Sequence, residues 1–342
     1  MVLPTLDRIK APVADELNGF EAAFRELMHS KVPLLDWVTR YIVRRKGKQI
    51  RPLLVYLSAK CYGDCGPVTR RGAALVELLH TATLVHDDVV DGAPMRRGFW
   101  SVNALWKNKI AVLIGDYLLS RGLLLALEHG DYGILQLTSQ AVRRMSEGEL
   151  LQIEKARRLD ITEEVYFKII SAKTASLMAT CCAVGVASAL GSGQISGSGG
   201  QGHQEALILD SRVEEARSFG ESLGVVFQMR DDLLDFEGHQ TGKALMADIK
   251  EKKLTLPLIH ALHQASWLER RKVIGLIKDS PEAVKTVNYI VDFIERSGGL
   301  AYARQVMGEK VNEAALRLEG FPEGPAKVSL KDLLYFAANR TA

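Results

Sequence analysis

The chain has 342 residues, 47% of them hydrophobic and 25% charged, and a net charge of +3 at pH 7. So small an excess of cations gives no reason to expect a nucleic-acid partner, and the apolar share excludes a disordered chain in favour of a globular one with ample core. The opening MVLPTLDRIKAPVADEL lacks the apolar stretch of a secretory signal. Cys61 and Cys65 have no matching second pair for zinc, because Cys181 and Cys182 are adjacent. All four read as reduced thiols of a cytoplasmic protein.

Helical periodicity then runs through most of the chain. ADELNGFEAAFRELMHS is amphipathic. RRKGKQIR, Arg44 to Arg51, is a basic run of the kind that usually forms a solvated face. RPLLVYLSAKCYG predicts a helix with Pro52 at its first position and Gly63 as its stop. TRRGAALVELLHTATLVHDDVVD, AVLIGDYLLSRGLLLALEHG and LQLTSQAVRRMSEGELLQIEKARR follow. In TEEVYFKIISAKTASLMATCCAVGVASAL the apolar part ends by Leu190, too short and too rich in Ala, Cys and Gly for a membrane span. A buried helix is expected there, and no transmembrane segment anywhere. Gly191 to Gln204 is Gly/Ser-rich and reads as a flexible loop rather than a boundary. DSRVEEARSFGESLGVVFQMRDDLLDF and several further helices complete the chain, with a loop at LEGFPEGPAKVSL. Strand alternation and fixed-period repeats are absent. The expectation is one all-α domain over 1–342.

Two short acidic motifs break this apolar pattern. DDVVD supplies Asp87, Asp88 and Asp91; DDLLD supplies Asp231, Asp232 and Asp235. Residues four apart share a helix face, so Asp87 pairs with Asp91 and Asp231 with Asp235. Like charges at that spacing repel unless a cation lies between them, and hard divalent ions take carboxylate and phosphate oxygens. One such motif is often an exposed helix end; two, each ending an apolar helix, suggest Mg²⁺ ions held around a polyanion. The cations complement them. Lys48 and Arg51 lie in GKQIRP, Arg96 and Arg97 follow the first cluster, Lys173 lies in SAKTASL, and Lys243 and Lys253 follow the second. Each alone is more often a solvated charge; together they suit phosphoryl oxygens. His80 is two helical turns before Asp87, where a lone histidine is more often a core residue.

These motifs, in this order, resemble those of the trans-isoprenyl diphosphate synthases: GKQIRP, ELLHTATLVHDDVVDGAPMRRG, AVLIGDYLL, SEGELLQ, KTASL, FQMRDDLLDF and GKALMADIKEKKLTLP. The resemblance runs roughly from Lys46 to the C-terminus and is nearest to the bacterial long-chain enzymes that make quinone side chains. It implies a single large helical bundle with a central active-site cavity, and Mg²⁺ as cofactor, about three ions once diphosphate is bound. By resemblance, Asp87, Asp88, Asp91, Asp231 and Asp235 bind metal, with Asp232 alongside. Arg96, Lys173, Thr174, Gln228, Lys243 and Lys253 hold an allylic diphosphate, and Lys48, Arg51, His80 and Arg97 hold isopentenyl diphosphate. The Asp motifs, Lys173 and Arg96 are the implied catalytic set; Glu149 and Gln152 match a motif whose role stays open. Two departures are Lys46 and Gln49, where many relatives have Gly and Arg, and a loop at 191–204 longer than usual. A homodimer is implied by the family alone.

The implied reaction ionises the allylic C–O bond, adds isopentenyl diphosphate and loses a proton, which gives a trans double bond. A terpene cyclase is a weaker reading, since it has no use for Lys48, Arg51 and His80. A non-catalytic subunit of a heteromeric synthase should have degraded Asp motifs, and a helical interaction protein needs neither set. Product length is read below Asp87. Thr83 and Ala82, four and five residues before it, are small where short-chain relatives often carry an aromatic floor, and Leu79 lies further down. One helical turn rises ~5.4 Å, about one isoprene unit, so a product well beyond twenty carbons is expected; the family resemblance implies about thirty-five to forty-five carbons, with geranylgeranyl or farnesyl diphosphate as the shorter alternative. Ala82→Phe is expected to restore a floor.

Overall fold

The computed structural model of the chain describes residues 4–44, 47–96, 98–192, 208–237, 249, 251–281 and 283–341. Helices succeed one another as the periodicity predicts: α1 (Leu6–Lys10), α2 (Ala14–Leu27), α3 (Pro33–Arg44), α4 (Ile50–Tyr62), α5 (Pro67–Val90), α6 (Val102–Glu128), α7 (Tyr132–Arg158), α8 (Glu163–Ile170), α9 (Ser176–Ser192), α10 (Ser211–Glu237), α11 (Leu256–Gln264), α12 (Trp267–Asp279), α13 (Val284–Arg296), α14 (Gly299–Leu318) and α15 (Pro325–Asn339). The only sheet among the described residues is a two-stranded antiparallel ribbon, Met95–Arg96 against Phe99–Trp100.

The chain is therefore all-α, and its helices bury two apolar clusters. The larger draws on α1 to α7, α9, the first part of α10, the last part of α14 and α15. The smaller gathers α8, the second part of α10 and α11 to α14. α10 joins both, so its acidic C-terminal end is set from two sides. α9 is apolar on every face and buried accordingly: Cys181, Cys182, Ala183, Val184 and Val186 have no exposure, as expected of an all-round hydrophobic helix inside a protein. α6 and the 163–191 stretch are each long and apolar enough to cross a membrane; the second is 78% buried, whereas α6 is only 33% buried. The four cysteines are free thiols.

Three local details differ from the expectation. α4 starts at Ile50, so Pro52 is its third residue. Proline costs nothing there, because the first four helix N–H groups have no intrahelical acceptor. α6 starts at Val102, well before Ala111, with a kink at Lys107 (φ 68°, ψ 160°). The run expected as one helix from Thr162 is interrupted by a π-helical turn, Ser171–Ala175. Gly191 and Ser192 close α9, and the rest of the expected Gly/Ser loop lies outside the described residues.

Candidate active site

Both acidic motifs fall at helix C-termini. Asp87 and Asp88 are in the last turn of α5, which Asp91 caps, and neither α5 nor α10 has a basic residue in its last turn. That end of a helix carries partial negative charge and favours cations. Three carboxylates at each such end work against the local electrostatics twice over, and a bound cation is the ordinary resolution.

The end of α5 is stitched in place. Asn103 Nδ2 donates to the Asp88 carbonyl at 3.0 Å, and Ser101 Oγ to the Ala93 carbonyl at 2.6 Å. His86, beside Asp87, lies 3.2 Å from the Val112 carbonyl and 3.4 Å from Asp116. Gly115 makes this possible: a Cβ there would stand 2.1 Å from His86 Nε2. The GD of AVLIGDYLL thus seats the residue next to the first acidic motif.

The second motif is organised by hydrogen bonds. Asp232 is buried and accepts from Tyr166 Oη at 2.7 Å and from Gln228 Nε2 at 2.8 Å. Thr174 Oγ1 donates to Gln228 Oε1 at 2.7 Å. Both Asp232 oxygens are engaged by protein donors, so this aspartate orients its neighbours. Burial, and then Asp231 and Asp235, push its carboxyl up to about 6, against the lowering by Tyr166 and Gln228. Asp231 is ion-paired with Arg340 at 2.5 Å.

The π turn aims Lys173 and Thr174. An extra residue in one turn rotates the side chains that follow, and Lys173 forms an ion pair with Glu149. Gly148, next to that glutamate, lets the turn approach: a Cβ there would lie 2.8 Å from Ala172 Cβ and 3.0 Å from the Lys173 nitrogen. The SEGELLQ motif is thereby explained by contact. Arg144 ties the turn to α10, donating to Ser171 Oγ at 3.2 Å and to Glu221 at 2.8 Å.

Two cavities are lined by residues expected to bind substrate. One, about 100 Å³, is lined by Gln152, Lys173, Thr174, Gln228, Asp232 and Lys253. The other, about 660 Å³, is lined by Lys48, Arg51, His80 and Arg340, among others, with Glu77, Phe227 and Phe336. Gln49 also lines it, in left-handed conformation at φ 55°. The structure therefore brings Lys173, Thr174, Gln228 and Lys253 to one cavity and Lys48, Arg51 and His80 to another. Lys46, Arg97 and Lys243 lie outside the described residues, as does the side chain of Arg96. Leu79 and Ala82 are 2% exposed in the core. Thr83 is half-buried and donates to the His80 carbonyl at 2.9 Å. None of the three lines either cavity.

Sequence reasoning missed Tyr166, His86 and Arg340. Tyr166 is seven residues before Lys173, a two-turn spacing that offered a signal; Arg340 offered none. Arg340 sits 3.8 Å from the Phe227 ring centroid, donates to the Phe227 carbonyl at 3.1 Å, and its buried Nε has no partner among the described residues.

Among the described residues no three carboxylate, imidazole or thiol groups converge to cage a metal by themselves. The carboxylates of the two motifs are donors that fit Mg²⁺, which is bound by one or two carboxylates plus substrate phosphates and water.

The burial of Asp232 has a consequence for stability. A carboxyl whose folded pKa is raised adds stability below its unfolded value, 3.8, and loses it as pH climbs through about 6. Near neutral pH the ionised group thus weakens the metal-free protein. Asp232→Asn is expected to raise its Tm at pH 7.5, the gain vanishing near pH 4, while turnover falls. A lower Tm for Asp232→Asn at pH 7.5 than for the parent would contradict this account.

Comparison with known proteins completes the description. Residues 32–294 match the family model described as "Polyprenyl synthetase". The chain is 34% identical over 337 residues to an octaprenyl diphosphate synthase of Escherichia coli, covering 98% of this chain and 99% of that one. It superposes on the crystal structure of a decaprenyl diphosphate synthase from Rhodobacter capsulatus with a TM-score of 0.88 at 32% identity, covering 98% of each. A polyprenyl synthase from Caulobacter crescentus, complexed with calcium and isoprenyl diphosphate, gives 0.87 at 29% identity and covers all of both chains. The likeness thus begins well before Lys46, where the motifs alone had placed its start.

Proposed function

The chain belongs to the polyprenyl synthetase family, and from that premise we infer that it is a trans-prenyltransferase of isoprenoid biosynthesis. It condenses isopentenyl diphosphate with an allylic diphosphate to make a long-chain all-trans polyprenyl diphosphate. The observation that carries the reading is the pair of cation-lined cavities at the second acidic motif, one lined by Asp232 and the other by Arg340, the ion-pair partner of Asp231.

The division of labour follows the chemistry of each lining. Lys173, Thr174, Gln228 and Lys253, with Arg96 and Lys243, hold the allylic diphosphate. Lys48, Arg51, His80 and Arg97 hold isopentenyl diphosphate, joined by Arg340, which lines the same cavity. Asp87, Asp91, Asp231 and Asp235, with Asp88, would hold Mg²⁺, which when bound supplies positive charge to the departing diphosphate. Asp231 gives up its Arg340 partner for that role, and the guanidinium becomes available to an anion. Cations and polar side chains gathered at the site stabilise the charge that builds on the leaving oxygen. The allylic C–O bond breaks, the new C–C bond forms from the isopentenyl double bond, and the proton lost passes to the released diphosphate. Apolar neighbours such as Met178, Phe227 and Phe336 keep water from the cationic carbon.

The whole chain, 1–342, is taken as one catalytic unit in the cytoplasm. The exposed side of α6, with Leu105, Val112, Leu113, Leu124 and Leu127 each at least 40% exposed, supports a homodimer, since contiguous apolar surface of that kind marks an interface. The direct test is incubation of the purified chain with labelled isopentenyl diphosphate and farnesyl diphosphate, followed by chain-length analysis. Products well beyond twenty carbons are expected, in the range of the heptaprenyl, octaprenyl and nonaprenyl diphosphate synthases that the chain resembles. Absence of any elongation by the pure protein would overturn the reading in favour of a non-catalytic subunit.

A further inference from the structure

α12 carries a surface the proposed chemistry does not use. Its sequence, WLERRKVIGLIKD, opens with two apolar side chains that the fold leaves in solvent: Trp267 is 68% exposed and Leu268 72%. The helix is seated by Val273 and Ile277, both fully buried. With those two residues inward, the 3.6-residue period puts Trp267, Leu268, Arg271, Lys272 and Lys278 on the opposite side. Arg270 is exposed as well. Arg271 lies 5.4 Å from the Trp267 ring, and Lys272 lies 4.2 Å from that of Tyr289. Of the acids, Glu269 is drawn to Arg296 at 3.4 Å and Asp279 ends the helix. Asp292 and Glu295 belong to the neighbouring α13, where with Tyr289 and Arg296 they line a shallow groove.

We propose that this face of α12 docks on an anionic lipid bilayer. The combination is what an interfacial helix requires: an aromatic and an aliphatic side chain to enter the headgroup boundary, and Lys and Arg beside them to meet lipid phosphates. Trp suits that boundary because its ring is apolar and its N–H can still find a partner. An acidic protein would satisfy the cations but leave Trp267 and Leu268 in need of a fitted pocket; a bilayer needs no complementary shape. The inference stands on α12 alone. Its purpose rests on the proposed function, since a long polyprenyl tail must pass from the protein into lipid.

Flotation of the intact protein with vesicles tests it without any assay of turnover, so failure of this proposal and failure of the enzymatic reading are told apart. The chain is expected to float with phosphatidylcholine vesicles containing about a third phosphatidylglycerol, several-fold more than with pure phosphatidylcholine, and to be released by high salt as the attraction is screened. Arg271→Ala with Lys272→Ala should lower partition roughly thirtyfold, about fivefold for each cation squared. Trp267→Ala with Leu268→Ala should weaken it at unchanged Tm, and elongation of a water-soluble primer should be unaffected in all these variants. Equal flotation by the parent and by both double variants would overturn the proposal. So would equal partition into neutral and anionic vesicles, or a fall in sedimenting mass on Trp267→Ala, which would make the face a contact with another protein chain.

Discussion

Asp87→Ala is expected to lower turnover by about 10²–10³-fold, and Asp235→Ala by a similar factor, with the helical spectrum of each variant intact. EDTA should abolish turnover of the parent, and added Mg²⁺ should restore it. The reason lies in where the carboxylates are. Asp87 is in the last turn of α5 and is not among its fully buried residues. The end of that helix is held by other groups: Asn103 on the Asp88 carbonyl, Ser101 on the Ala93 carbonyl, and His86 against α6. Removing one carboxylate leaves those contacts in place and takes one negative charge from a helix end that disfavours it. A loss of rate with the fold retained is the signature of charge kept for function. Near-normal turnover in Asp87→Ala, with metal still required, would remove Asp87 from the site.

That contrast also marks what the amino-acid sequence could and could not disclose. The all-α class was legible because the apolar spacing is helical over long stretches, and α9 was readable as buried because it has no polar face. The ribbon at Met95–Trp100 was not, since strands of two residues carry no alternation. The π turn at Ser171–Ala175 was not, because one extra residue in a single turn hardly disturbs a periodicity summed over twenty or so residues. Nor was the division into two apolar clusters that meet along α10, which depends on packing between helices remote in sequence.

The site divides in the same way. The carboxylate pairs were legible because i and i+4 share a helix face, and Lys173 because its motif is short and specific. What lay hidden are partners brought from afar. Tyr166 reaches Asp232 across 66 positions, and Arg340 reaches Phe227 across 113. The glycines of SEGELLQ and AVLIGDYLL gained a reason only from the side chains they admit, Ala172 with the Lys173 backbone and His86. Asp232 shows the limit of motif reading most clearly: within one DDLLD, burial and two hydrogen bonds make it an internal acceptor, while Asp231 is left partly exposed and paired with Arg340.

Product length should respond to a single side chain below Asp87, and the fold separates the three residues that spacing had grouped. Leu75 and Leu78 lie under Gly122, and His86 under Gly115, so the stripe of α5 that contains Leu75, Leu78, Ala82 and His86 faces α6. Ala82, 2% exposed, is packed into that seam. Thr83 is rotated by about 100° from it, one residue on in a helix of 3.6 residues per turn. It shares the face of Asp87, one turn below, and is half-buried. A growing tail that leaves the metals along α5 passes Thr83 first. Thr83→Phe is therefore expected to cut the product to the fifteen-to-twenty-carbon range, about four units or fewer at one unit per turn, with Tm nearly unchanged. Ala82→Phe should also shorten the product, but its ring must first part α5 from α6, and overpacking of that kind costs about 1–3 kcal/mol. Mass analysis of dephosphorylated products, read beside thermal melts, distinguishes the two. Full-length product from a folded Thr83→Phe enzyme would show that the tail leaves along a different helix.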